Sequence, residues 1–504
     1  MLRQFLWLLL LTAPAWARLG GGESYSAPAS SSSSGSSSSS HSGGGGGDGQ
    51  LILFLLELII RYPAVGIPVA LIVLAFWLAN QSGLGGNTVL SRGAAPSTTI
   101  EVPDADLFHV QPLAEINPDP NFSYYVFRDF VGLLYSQVQQ GRAGDLGQVG
   151  HYLSPQVRES LLKLTRNQQV TGVKNVIVGA ARVLSQVVVQ NRVRITLTLE
   201  SNYTEQRGDR EERIYSKERW TFQRNQGVLS PGPIPVGTTR LGCPNCGQSG
   251  EVGKDGRCPY CEKQVNNGNY GWVVVQVQVQ DREKQLPLGL GEQAPERGTQ
   301  LPTRRSPQWA QRWRAFQARY PEFVQKQFED RLVEIFMALQ QAWSEQRWDQ
   351  ARPYETDSLY QTHRYWIEAY QSQGVVNQLS QIQVQKIELC NVETDAYFDA
   401  VTVRIFASMI DLTLEKSSGR RLGGDPKQPR VFSEYWTLIR KVGYHPPTET
   451  RPAGTCPSCG APLDRINQAG QCEYCGSTIT QGDFDWVLAQ IEQDESYQPP
   501  LSAA

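Results

Sequence analysis

The stretch Glu218 to Arg224, ERWTFQR, returns as EYWTLIR at Glu434 to Arg440. A glutamate, a tryptophan, a threonine and an arginine keep their places, which points to an internal repeat within the 504 residues. Upstream, VRI at 193–195 matches VRI at 403–405. Further upstream, Val126, Phe130, Leu133 and Leu134 align with Phe328, Leu332, Ile335 and Phe336 at an offset of 202, as the apolar face of one helix. The same offset pairs Tyr152 with Tyr354. Downstream, YGWVVVQVQ (270–278) matches FDWVLAQIE (484–492). The order of parts is the same twice, so the body is a tandem duplication whose period is far too long for a solenoid.

Each copy reads helices first and strands second. Val193, Ile195, Leu197 and Leu199 alternate with Arg194, Thr196 and Thr198, the pattern of a half-buried strand. Val273, Val275, Val277 and Val279 do the same, with Gln276 and Gln278 opposite. Helices ahead of an antiparallel sheet give an α+β domain.

Between the two tryptophan strands of each copy lies a cysteine-rich excursion. Cys243, Cys246, Cys258 and Cys261 form two CxxC pairs separated by eleven residues; Cys456, Cys459, Cys472 and Cys475 form two more, separated by twelve. Two such pairs can close a tetrahedral shell around one zinc ion, so two structural zinc ions are expected. Pro244 and Pro457 stiffen the first turn, and Gly247 and Gly460 stand where a knuckle often needs positive φ. Disulfides need an oxidising compartment, and a redox pair is usually a single CxxC opening a helix. Neither accounts for doubled pairs with matching loops. Neither loop holds a histidine, so the four sulfurs are the natural ligand set. The ninth cysteine, Cys390, stands alone and is expected as a small buried residue.

The net charge of −2 gives no global sign of nucleic-acid binding. The first 17 residues have the build of a secretory signal peptide, ending in Ala15-Trp16-Ala17. Residues 18–50 are a Gly/Ser tether. Residues 51–80 read as an amphipathic lead-in followed by a span at 62–79, uncharged and ~27 Å long as a helix. Span counting then places the body on the cytoplasmic side of the inner (plasma) membrane, a compartment that keeps thiols reduced. A linker at 81–117 leads to a first domain at 118–281, with its ribbon at 243–261. A second linker at 282–306 precedes a second domain at 307–495, with its ribbon at 456–475, and a tail at 496–504.

DPNFSYYVFRDFVGLLYSQVQQ from Asp119, then the alternating VRITLTLES, then Glu-x-Trp-Thr-x-x-Arg, resembles the Tim44-like domain family. Signal peptide, Gly/Ser tract, a span preceded by IIRYP and the ribbons resemble its membrane-anchored bacterial branch. The resemblance implies a cone-shaped, nuclear-transport-factor-two-like α+β fold, with a curved sheet around an apolar pocket. It also implies a scaffold role; in mitochondria the family tethers a heat-shock chaperone to the import channel. Here the body is duplicated, carries ribbons and has no recognisable chaperone-tethering segment.

No catalytic constellation recurs. At the 202 offset His151 faces Pro353 and His363 faces Leu161, so neither copy keeps the other's histidine. Glu218 and Arg224 recur as Glu434 and Arg440, on one strand face. They read either as a pocket pair or as an ion pair or solvated rim. Residues 307–320 carry Trp309, Trp313, Phe316 and Tyr320 at helical spacing beside Arg312, Arg314 and Arg319. That is either a basic amphipathic helix on anionic lipid or a helix packing on its own domain. The expectation is a non-enzymatic, membrane-anchored scaffold for membrane lipid or an unidentified protein partner, with no nucleic acid and no catalytic residues. The alternatives are a pocket enzyme of the same cone, or ribbons on nucleic acid, for which only Lys254, Arg257 and Arg465 supply charge.

Overall fold

The computed structural model describes residues 119–232, 240–284, 298–445, 454–463, 466–467, 470–494 and 497–499. The expected signal peptide, tether, membrane segment and first linker, residues 1–117, lie outside the described residues. The two halves of the body fall in one compact unit.

In the first half, Ser123 starts helix α1 (Tyr124–Gly141) by accepting the Val126 N–H at 3.2 Å. Ser154 caps α2 (Pro155–Asn167), where Pro155 occupies the first turn and forfeits no hydrogen bond. Four antiparallel strands follow in the order β1 (Gly172–Val189), β2 (Arg192–Arg207), β3 (Arg210–Asn225), β4 (Val273–Lys284). Three register shifts in β1 bend the sheet around the helices. Phe127, Val131, Leu134, Tyr135 and Val138 of α1 meet Ile195, Leu197, Leu199, Trp220 and Phe222 in one core.

The second half repeats this with α3 (Trp309–Arg319), α4 (Gln325–Glu345), α5 (Asp357–Ser372), β5 (Val375–Thr394), β6 (Phe398–Glu415), β7 (Arg421–Gly423), β8 (Arg430–Lys441) and β9 (Val487–Gln493). Its sheet runs β5-β6-β8-β9, with the short β7 beside β6. Phe328, Leu332, Ile335, Phe336 and Leu339 of α4 pack on Val401, Val403, Ile405, Trp436 and Leu438.

The burial of α1 and α4 corrects the alignment of the copies. Phe127, Val131, Leu134 and Tyr135 are the counterparts of Phe328, Leu332, Ile335 and Phe336, an offset of 201 rather than 202. Val126 and Leu133 point away from the deepest core because the helix face turns one residue later. The VRI match slips as well. Thr196 pairs with Thr221 and Thr221 with Gln276; Thr402 pairs with Thr437 and Thr437 with Gln490. Leu197 therefore corresponds to Val403, and Val193 to Asp399. The threonine hydroxyls bond across the strands in both copies, at 3.2 and 2.9 Å. A period-two pattern tolerates a slip of four residues without changing which face is apolar, which is why the sequence match misleads.

The halves meet asymmetrically. The outer side of α1 lies on the face of the second sheet that its own helices leave bare. Tyr125 packs with Ala400, Ile439 and Ala489, and its ring stands edge-on to Phe398 at 6.2 Å. Arg128 donates to the Gln490 side chain and, at 2.7 Å, to the Ala489 carbonyl. Ser123 Oγ donates to Asp395 at 2.7 Å. Further along that face Tyr497 stacks on Tyr435 at 3.8 Å, and Arg404 donates at 2.9 Å to the carbonyl of Leu301, in the segment between the halves.

The expected fold, cone-shaped domains behind one transmembrane helix, is corrected to two open sheets, each with an associated four-cysteine cluster. Among the described residues no helix is long and apolar enough to cross a membrane. Each long helix is amphipathic, with one face in a core and charges on the other.

Candidate metal centres and buried polar sites

Both cysteine excursions are built from the same knuckle, used four times. The first cysteine of each pair accepts from the N–H four residues on: Gly247 to Cys243, Glu262 to Cys258, Gly460 to Cys456 and Gly476 to Cys472, at 2.7–2.9 Å. Its own N–H donates to the carbonyl five residues on, at Gln248, Lys263, Ala461 and Ser477. That closure forces positive φ at the fourth residue, which Gly247, Gly460 and Gly476 adopt at 75°, 77° and 72°. Glu262 adopts it at 57° without the freedom of glycine.

Two knuckles bring four sulfurs together in each half. All four Sγ atoms lie within 4.8 Å of one another in both clusters. Cys243–Cys261 and Cys246–Cys258 are 3.9 and 3.8 Å apart, and Cys456–Cys475 and Cys459–Cys472 are both 3.9 Å apart. A tetrahedron with metal–sulfur bonds of about 2.3 Å has edges of about 3.8 Å, so the spacing is that of a metal shell. None of the nine cysteines is in a disulfide. Burial pushes the Cys243 and Cys456 thiols up to about 12. The outer Cys261, with the Lys263 N–H on it, and Cys475, with the Ser477 hydroxyl on it, come down to about 6. Holding four thiolates here therefore calls for a cation. Two four-cysteine clusters able to coordinate a metal ion are present. Cys390 is separate from both, fully buried against Tyr435 and Tyr497, and burial pushes its thiol up to about 12.

Each excursion is tied to its domain by backbone. Asn225 N donates to Gly268 O at 2.9 Å, and Lys441 N to Gly482 O at 2.8 Å. In the first half, Val252 N reaches Gly147 O at 3.0 Å, and Arg158 of α2 reaches the Val252 carbonyl at 3.0 Å. In the second half, Gly470 lies under Thr480 and Arg352. A Cβ there would fall 2.2 Å from Thr480 Oγ1 and 2.7 Å from Arg352 Nη2.

The recurring Glu and Arg of the tryptophan strands are buried, but they do not pair with each other. Glu218 accepts from Trp220 Nε1 and Tyr135 at 2.8 Å, Ser216 at 2.9 Å and Gln139 at 3.1 Å. Glu434 accepts from Trp436 Nε1 at 3.0 Å and Gln493 at 3.2 Å. Arg224 stacks on Trp272 at 4.4 Å and pairs with Asp119 at 2.6 Å, with both side chains out of contact with water. Arg440, 3% exposed, stacks on Trp486 at 4.6 Å and Tyr320 at 4.9 Å. Its Nε and Nη2 are buried with no hydrogen-bond partner among the described residues. Neither the pocket-pair nor the solvated-rim reading survives: each group is interior and held by something else. The histidines also go separate ways. His151 is fully buried, and burial lowers its pKa; His363 is buried against Glu355 at 2.6 Å.

Sequence reasoning missed a second interior charge cluster. Glu205 receives Arg142 and Arg282 at 2.5 Å and Arg207 at 2.8 Å. Burial works against its charge, but the hydrogen bonds from Arg282 and Arg207 prevail and its pKa falls to about 2. The four residues are scattered over two strands and a helix end, so no local motif announces them. The aromatic stripe of 307–320 resolves to packing. Phe316 and Tyr320 are core residues, Trp313 packs against the same core, and Arg312 reaches Glu393 at 3.3 Å. The stripe is thus spent on its own domain and gives no ground for lipid contact.

Residues 309–449 match the Tim44-like domain family. The match covers the helices and β5 to β8 of the second half but not β9, and no curated protein matches the chain. Tim44-like domains are generally non-catalytic scaffolds, which agrees with a non-enzymatic role for the matched part. The more specific expectation, a membrane-anchored bacterial branch with zinc ribbons, is not supported. The match reaches only the domain, and no helix among the described residues can span a bilayer. No helix among the described residues supports the inner-membrane single-pass placement or the membrane-anchored function; the expected signal peptide at 1–17 and span at 62–79 lie outside those residues.

Proposed function

We propose that the chain is a non-catalytic scaffold for a protein partner, built from two Tim44-like halves at 118–281 and 307–495, each braced by one structural zinc ion. The observation that carries this reading is the sulfur spacing of 3.8–3.9 Å in both clusters, the edge length of a closed four-sulfur shell. Cys243, Cys246, Cys258 and Cys261 would hold one ion, and Cys456, Cys459, Cys472 and Cys475 the other. When bound, zinc supplies the charge that keeps four thiolates together and offers no open position to a substrate. The role is structural because little else holds the excursion. Among the described residues, Val252 and Val265 with the half-buried Tyr270 support the first cluster, and Ile479 with the half-buried Leu463, Ile466 and Phe484 the second. A structural zinc contributes on the order of 10 kcal/mol in small modules, enough to replace a missing core.

Elemental analysis of the purified full chain should give two zinc ions. Cys243→Ser and Cys456→Ser should each remove one ion while the other half keeps its sheet. Protein purified under reducing conditions with all eight thiols reactive and no metal would overturn the zinc reading. For the scaffold reading, a protein partner retained by the intact chain should be lost when either ribbon is opened. Retention that ignores both substitutions would separate binding from the ribbons.

A further inference from the structure

We infer that Arg440 is a carboxylate-binding site: the acid that Asp119 supplies to Arg224 within the first half comes, in the second, from a ligand. None of its groups is a cysteine of either cluster, so the inference is independent of the zinc reading. Arg224 Nη2 donates to Asp119 at 2.6 Å, and Asp119 also accepts the Ser230 N–H at 2.9 Å and the Ser230 hydroxyl at 2.7 Å. Arg440 is 3% exposed, and its Nε and Nη2 are buried without a hydrogen-bond partner among the described residues.

The frames around the two arginines are alike. After the strand, Val228 N donates to Asn225 O and Tyr444 N to Lys441 O, both at 3.2 Å. Before the helix, Phe122 N donates to Asp119 O and Phe323 N to Tyr320 O, both at 3.0 Å. Phe122 meets Phe127 at 5.9 Å and Phe323 meets Phe328 at 6.0 Å, each pair tilted by 44°. The offset of 201 therefore runs through this loop, and Tyr320 stands where the first half has Asp119. Tyr320 sends its hydroxyl elsewhere, donating to Asp399 at 2.6 Å and accepting from Gly443 N at 2.8 Å.

The substitution turns an ion pair into a cage. The Arg440 guanidinium lies 4.6 Å from the Trp486 ring, 4.9 Å from Tyr320, 5.5 Å from Tyr444 and 5.7 Å from Phe316. Stacking uses the faces of a guanidinium and leaves its N–H edge, whose fork matches one carboxylate. The acids nearby are bound to other groups: Asp399 to Tyr320, Thr394 and Arg319, and Asp485 to Arg331 at 3.2 Å. Their charge favours a monoanion over a phosphate dianion. The site lies at the end of β8, where Lys441, Gly443 and His445 are exposed, and this is the side from which a ligand enters.

Isothermal titration of the full chain with N-acetyl-aspartate amide, its asparagine analogue, acetate and inorganic phosphate tests this. The aspartate amide and acetate should bind about tenfold or more tighter than the neutral asparagine analogue. Arg440→Met should weaken both carboxylates by about tenfold or more, and Arg440→Lys should also weaken them, because a point charge replaces the fork. Urea unfolding of the two variants shows that each still folds. Tighter binding of the aspartate amide than of acetate assigns the site to an acidic side chain of a protein, and equal binding assigns it to a free small carboxylate. Absence of binding by either carboxylate, affinity unchanged in Arg440→Met, or phosphate bound more tightly than both would each overturn the proposal.

Discussion

Arg224 and Arg440 occupy the same strand position and invite the same substitution with different outcomes. Replacing Arg224 with Met strands Asp119, a carboxylate with almost no water contact. Uncompensating a buried charge pair costs about 3–5 kcal/mol. Asp119 keeps donors from Ser230 Oγ at 2.7 Å, Ser230 N at 2.9 Å and Asn121 N at 3.0 Å, so the loss belongs near the lower end, about 3 kcal/mol. Replacing Arg440 strands no such group. The nearby Asp399 keeps Tyr320 at 2.6 Å and Thr394 at 2.6 Å. Lost stacking on Trp486 and Tyr320 costs about 1–2 kcal/mol, and removal of a desolvated cation with two unmet N–H groups offsets a comparable amount. The net effect of Arg440→Met is within about 1 kcal/mol of zero. Urea unfolding of the full chain, followed by tryptophan fluorescence, should show one transition moving to lower urea for Arg224→Met and little movement for Arg440→Met. Equal losses, or a larger loss for Arg440→Met, would refute the assignment of unlike partners to the two arginines.

Burial raises the Glu492 carboxyl to about 7 against the pull of Arg182 and Arg128 at the contact between halves. A folded pKa above the unfolded one means stability present at low pH and lost as pH rises from about 4.5 through about 7. Glu492→Gln should therefore stabilise by about 1–2 kcal/mol at pH 8 and do almost nothing at pH 4.5, read by thermal unfolding at both pH values. Gly470→Ala, with φ of 74° and no room beside Thr480 and Arg352, should cost about 2 kcal/mol or more and make the second ribbon release metal to a chelator sooner. Gly460→Ala, at φ 77° with open space around it, should cost only about 1 kcal/mol by the same measure. Glu262→Gly should slow metal loss from the first ribbon, because it relieves the one strained knuckle; faster loss would contradict the strain argument.

The duplication, the helix-then-strand order and the eight clustered cysteines were all legible in the sequence, because each is written in local spacing. The register between copies was not. Val193-Arg194-Ile195 and Val403-Arg404-Ile405 are equally good strands, and only the Thr196–Thr221 and Thr402–Thr437 pairs decide which residues correspond. The partners of buried charges were also out of reach. Glu218 and Arg224 share a strand face, but their partners Tyr135 and Asp119 come from a helix and the loop before it. The contact between halves was hidden for a related reason. Tyr125 reads as one more polar-tipped aromatic on a helix, until the second sheet supplies Ala400, Ile439 and Ala489 beneath it.

The position of the ribbons bears on the order in which each sheet assembles. β3 ends at Asn225 and its neighbour β4 begins at Val273; β8 ends at Lys441 and β9 begins at Val487. The other neighbouring main strands are joined by short turns, apart from β6 and β8, whose link carries β7, so the ribbon excursions are the longest loops that the two sheets must close. Closure entropy grows with the logarithm of loop length, and non-local pairings slow folding. A metal that gathers both knuckles of an excursion shortens the free loop before the last strand arrives. Each edge strand should then join last and quickly from metal-loaded chains, and slowly from chains that meet the metal late.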